Sequence, residues 1–162
     1  PLENYKPYQN PTCCTAAPVA IYLMRKDNPT KEELKIAEEL ARFCEDQFVL
    51  WGSTYTNGIP DVNYPCACEQ IDWDEPTDAS TANVLTCFTL LYKHTGDKLW
   101  LAKANALAAN LTFMQNKVSG MLPTVGWRNS DHILGQAAQF WINCTVGSVA
   151  SLRDLQKNTN QK

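Results

Sequence analysis

Three stretches of this sequence, residues 13–24, 79–92 and 133–152, contain no Asp, Glu, Lys or Arg, yet each carries apolar residues at helical spacing. A helix without charge has no face built for water, so these three are expected to be buried nearly all round. Between them lie two helical stretches of the opposite kind. In the first, Leu34, Ala37, Leu40, Ala41, Cys44 and Phe48 form one stripe, while Lys35, Glu38, Glu39, Arg42, Glu45 and Asp46 face away from it. Buried and half-exposed helices thus alternate along the chain, as a layered array of helical hairpins requires. The expected fold class is all-α, in one domain covering 1–162, since a chain of this length supports a single core. No segment alternates convincingly as a strand.

Local signals place five helices, at about 15–25, from Thr30 onward, and at about 78–94, 97–117 and 133–156. Thr30 and Glu33 have the spacing of a capping box, and Thr95-Gly96-Asp97 combines a left-handed stop with the cap of the next helix. The pattern Leu34-x-x-Ala37-x-x-Leu40-Ala41 recurs 67 residues later as Leu101-x-x-Ala104-x-x-Leu107-Ala108. Each copy is followed by a related exit, "NGIPDV" and "SGMLPTV", which marks an internal repeat. Tight turns after residues 26 and 95 fall at one end of such an array. The long connections 51–77 and 118–132, together with 1–14, then meet at the other, where the inner helices present their N-termini. Long loops gathered on one rim are where function tends to sit.

Composition excludes several partners. With 14 basic and 17 acidic residues, a net charge of -3 and no block of like charges, the chain lacks both a nucleic-acid footprint and a polybasic membrane patch. No segment is apolar enough for membrane insertion. The chain opens on Pro1 with no signal-peptide pattern, and it is expected to continue upstream as part of a longer protein. Seven cysteines make an odd count, and they are expected to be mostly buried thiols. Cys13-Cys14 and Cys66-x-Cys68 lack the usual zinc spacing, so no metal and no cofactor are expected. Phosphate-cradling, dinucleotide and nucleophile-elbow motifs are missing from the sequence. The sequons at Asn110 and Asn143 fall in predicted helices.

The succession "LLYKHTGDKLWLAKANALAANLTFMQ", the Gly-Pro exits and "FWINCTVGSVASL" resemble the hairpins of the six-hairpin, (α/α)6-toroid glycosidase superfamily, over about residues 13–155. The resemblance implies an oligosaccharide or polysaccharide substrate, a funnel at the N-terminal ends of the inner helices, and a periplasmic or extracellular location. Five helices are fewer than the twelve of a closed toroid. The chain therefore looks like a C-terminal half-toroid, which is expected to expose apolar flanks or to self-associate through them. Hydrolase, lyase and epimerase remain open, as does a non-catalytic scaffold or carbohydrate-binding module.

Glycoside cleavage needs one carboxyl held protonated and a second kept ionised across the bond. Glu69, Asp72 and Asp131 are the candidate catalytic acids in the rim loops. Asp74, Glu75 and Asp78 stand where the third helix begins, and there acids cap free N–H groups. Trp51, Tyr64, Trp73 and Trp127 offer flat faces for sugar stacking, with Arg128 and His132 as hydrogen-bonding partners.

Overall fold

The computed structural model describes residues 12–51, 64–70, 73–122, 124 and 142–159, and these are mostly helical. Five helices are present among them: α1 (Cys13–Arg25), α2 (Lys31–Phe48), α3 (Asp78–Thr95), α4 (Lys98–Met114) and α5 (Ile142–Thr159). The helix starts keep the period of the sequence repeat. Lys31 opens α2 and Lys98 opens α4, 67 positions apart, and the Cys13 thiol at the start of α1 reaches the carbonyl of Ser80, again 67 positions on. Thr30 closes its capping box with Glu33, and Asp97 caps α4 through the N–H of Leu99. Gly96 takes the left-handed conformation at φ 73° that ends α3.

Helix α3 is the centre of the array, packed against α1, α4 and α5, while α2 covers α1 and also touches α3. Every residue from Val84 to Tyr92 is buried, and Leu85, Phe88 and Leu91 form the core with Phe48 and Leu107. Small residues let the helices approach closely: Ala17 and Ala20 on α1, Ala37, Ala41 and Cys44 on α2, and Ala104 on α4 are all fully buried. The two outer helices are tied by Lys103 to Glu45 at 2.6 Å, with the Lys103 and Arg42 cations lying over the Trp100 ring.

Helices α1 and α5 depart from the expectation of all-round burial. Val19 and Tyr22 on α1 and Ile142 and Val146 on α5 are exposed. Both helices stand at an end of the inner row, so α3 covers only one of their sides. Charge-free sequence marks a face that water need not see, and it does not supply the neighbour that hides it.

The segment before α3 also differs from the sequence reading, because it carries a small antiparallel sheet in the order β1 (Val49–Leu50), β2 (Cys66–Gln70), β3 (Trp73–Pro76). Cys66, Ala67 and Cys68 are all buried, so the strand has no in–out alternation for a period-two search to find. Register shifts between Cys68 and Gln70 where β2 meets β3. Helix α4 stops at Met114, three residues short of the expected end. Beyond it the Asn116 side chain accepts the N–H groups of Val118 and Ser119, and this local turn competes with another helical turn. Helix α5 runs on to Thr159, past the expected 156, and the expected stretch 133–141 lies outside the described residues.

Candidate functional site

The two ends of the inner row differ as the topology requires. At the turn end, His94 Nε2 lies 2.9 Å from the carbonyl of Met24, and Arg25 pairs with Asp154 at 2.8 Å. A cleft of about 580 Å³ there is lined by His94 and by Arg25, Lys93 and Lys157, cations that complement the C-terminal ends of helices. At the opposite rim the N-termini of α1, α3 and α5 meet β2 and the segment around residue 122. Thr12 bridges to Gln70, the N–H of Asp78 donates to the Thr124 carbonyl at 3.1 Å, and the N–H of Leu122 donates to Thr145 Oγ1 at 3.1 Å.

Threonines stitch the strand to the helix behind it. The N–H of Ala67 donates to Thr81 Oγ1 at 3.0 Å, and the N–H of Thr77 returns to the Ala67 carbonyl at 3.0 Å. Glu69, two residues along β2, is half-buried on this rim. Its charge reaches two thiols, Cys14 on α1 and Cys144 on α5. Burial pushes the Cys14 thiol up, a hydrogen bond with Ser80 opposes this, and Glu69 adds to the rise. Cys144 is raised by burial and by the charges of Asp78, Cys14 and Glu69.

The most constrained carboxyl on the rim is Asp78, the first residue of α3, which is only 5% exposed. Its Oδ1 accepts the N–H of Ala79 at 2.8 Å, and its Oδ2 accepts from the Ser148 hydroxyl of α5 at 3.3 Å. Burial pushes its pKa up to about 6 against the pull of both bonds. The N-cap is Thr77, whose hydroxyl accepts the Ser80 N–H at 3.2 Å. Asp78 thus satisfies one free N–H of the first turn, as its position suggests, although the N-cap residue is Thr77, and Asp74 and Glu75 belong to β3. A cleft of about 230 Å³ between α3 and α5 is lined by Ala79, Ala82, Asn83, Asn143, Cys144 and Ser148, and Asp78 itself is buried outside that lining.

Of the residues singled out from sequence, Glu69 is on this rim. Trp51 stacks on Phe88 with centroids 6.4 Å apart, and Tyr64 leans on Phe113 of α4 at 5.3 Å, so both rings pack on the α3–α4 side. Each keeps part of its surface in solvent. Trp73 lies in β3 opposite Gln70, and Asp72, Trp127, Arg128, Asp131 and His132 lie outside the described residues. Cys13, Cys44, Cys66, Cys68 and Cys87 are buried, while Cys14 is exposed and Cys144 half-buried at the rim. Among the described residues no group of three or more His, Cys, Asp or Glu is arranged to hold a metal ion.

Asp78 is the rim carboxyl that sequence reasoning misses. The available signal is its place between a capping Thr77 and a charge-free run, which draws the first helical carboxyl into the buried layer. Asp78, raised toward neutrality by burial, and half-buried Glu69 are thus two carboxyls on one rim. Compared with models of known families and with curated proteins, the sequence finds no match.

Proposed function

We propose that this chain is part of a carbohydrate-active enzyme, a glycoside hydrolase of the (α/α)6-toroid type, whose substrate lies across the rim at the N-termini of α1, α3 and α5. The observation that supports the reading is the buried Asp78 carboxyl, pushed up to about 6 on one rim with Glu69, where its neighbour Ala79 and its partner Ser148 line the cleft between α3 and α5. Asp78 serves as the group that protonates the leaving oxygen, and Glu69 as the ionised partner. Asp72 and Asp131 are further acids of the same loops, and Trp51, Tyr64, Trp73 and Trp127 supply stacking faces, with Arg128 and His132 bonding to hydroxyls. The toroid reading draws support from three inner helices in a row under two outer ones, with uncharged apolar flanks exposed at both ends of the row.

The test is turnover of an oligosaccharide panel by the protein carrying this chain, with Asp78→Asn and Glu69→Gln made separately. Each substitution is expected to lower kcat on the order of 10²-fold or more, and Asp78→Asn to remove a pH–rate limb near 6. Turnover within a few-fold of the parent for both variants refutes the acid–base assignment and favours a scaffold or a carbohydrate-binding module.

A further inference from the structure

Helices α1, α3 and α5 all end at the turn side of the array, and the cleft of about 580 Å³ between their ends stands apart from the rim. Four cations line it: Arg25, Lys26, Lys93 and Lys157. Arg25 is paired with Asp154 and Lys26 with Glu33. Lys93 and Lys157 have neither a hydrogen bond nor an ion pair among the described residues. Asp27 is the one lining acid outside those pairs, so positive charge is in excess. Helix C-termini attract cations, but here the terminal carbonyls already have donors. His94 Nε2 donates to Met24 at 2.9 Å, Thr95 Oγ1 to Leu91 at 2.7 Å, the Gly96 N–H to Tyr92 at 2.8 Å and the Asn158 amide to Asp154 at 2.7 Å. The two lysines thus keep their ammonium groups for something outside the chain. Buried Met24 and Leu90 and half-buried Pro29 supply an apolar wall to the same cleft.

We propose that this cleft binds a small phosphate monoester, with Lys93 and Lys157 on the phosphoryl group and the organic part against Met24, Leu90 and Pro29. A phosphoryl dianion carries its charge and three acceptor oxygens on one group, which suits two ammonium groups better than a single carboxylate does. The helix C-termini oppose an anion, and the four lining cations offset them. The volume is that of an ordinary small-molecule site. The cleft is at the opposite end from the rim, so the assignment does not rest on the glycosidase reading.

The test is isothermal titration calorimetry of the protein carrying this chain, with phenyl phosphate, inorganic phosphate and benzyl alcohol as probes. Phenyl phosphate is expected to bind saturably in about the millimolar range or tighter. Inorganic phosphate binds several-fold more weakly, and benzyl alcohol does not displace the ester. Lys93→Ala and Lys157→Ala each weaken binding about 5- to 10-fold, and the double variant loses it. Lys98→Ala on α4, outside the cleft, leaves it unchanged. Both lysines are exposed, so the variants keep the fold, which an unchanged thermal midpoint verifies. No saturable binding by the parent, binding that survives in the double variant, or an equal loss in Lys98→Ala overturns the proposal. Equal affinity for inorganic phosphate and the ester overturns the monoester assignment. Glycoside turnover does not enter the measurement, so this outcome and that of the rim assignment are read separately.

Discussion

Helices α3 and α5 share a sequence character and differ in their surroundings. Neither carries a charge along most of its length, and both hold polar side chains at the positions where they meet: Thr86 with Ser151, and Asp78 with Ser148. Helix α3 has α1, α4 and α5 around it and buries nearly everything. Helix α5 buries Thr145, Ser148, Ser151 and Leu155 along one stripe and leaves Ile142 and Val146 in solvent. An uncharged helix is permitted to be buried; its place in the row decides whether it is. The joint between the two is correspondingly polar, held by hydroxyls and one carboxyl more than by large apolar groups. At the far end, exposed Arg25 and Asp154 tie α5 to α1 in a contact of the kind that contributes little.

The comparison breaks most visibly under a charge. Leu85 of α3 is 0% exposed and Val146 of α5 is 62% exposed, although both stand in uncharged stretches. Leu85→Asp places an unpaired carboxylate in the core and is expected to unfold the chain, at a cost of roughly 3 to 5 kcal/mol or more against a total stability of about 5 to 15. Val146→Asp is expected to move stability by about 0.5 kcal/mol or less. Urea unfolding of the two variants side by side reads the difference. Equal losses would mean that α5 is covered as α3 is.

A second variant sharpens the comparison at the α3–α5 joint. Asp78 binds its proton more tightly in the folded chain, with a pKa of about 6 against an ordinary 3.8. Below about pH 4 both states are protonated and the native state bears no penalty. As pH rises through 6 the unfolded chain releases the proton more readily, so stability falls and then levels off. Two pKa units correspond to about 3 kcal/mol. Asp78→Asn is therefore expected to raise stability at pH 7 by up to about 3 kcal/mol and to flatten the profile between about pH 4 and 6. The opposite sign, a loss at pH 7 with the slope unchanged, would show that the ionised carboxylate is a favoured partner of Ser148 and not a strained one.

These two sites also measure how far the sequence is legible. The helices and their phase are readable because spacing, caps and the 67-residue period are local signals, and Lys31 and Lys98 open their helices in register with it. The meeting of Thr12, β2 and the described residues near Leu122 on one rim follows from the positions of two tight turns. The exposure of Val146 is not readable, because it depends on what stands beside α5 and not on α5 itself. The strand Cys66–Gln70 escapes for a related reason, since its buried run of small residues imitates a loop. Glu69 stands out by its place in a long connection. Asp78 reads from sequence as an acid that caps free N–H groups, which it does for Ala79; its burial against Ser148 depends on α5 and is not a local signal.

The smallest expected effect tests whether the joint between α3 and α5 is held by its hydroxyls at all. Thr86 Oγ1 lies 2.8 Å from Ser151 Oγ and 2.9 Å from the Ala82 carbonyl, and Ser151 lies 3.0 Å from the Gly147 carbonyl. Each hydroxyl thus has a partner within its own helix as well as across the joint. Thr86→Val keeps the shape and removes the cross-helix bond, while Ser151 still donates to Gly147, so the loss is expected to be about 1 kcal/mol. Ser151→Ala should cost a similar amount. The pair Thr86→Val with Ser151→Ala should cost less than the two losses added, because neither buried hydroxyl is left facing a missing partner. A double-mutant cycle from urea midpoints reads that difference directly. A coupling of zero would mean that the two helices are held by Ala82, Val149 and Leu152 packing around them, and the joint of α5 would then resemble that of α3 after all.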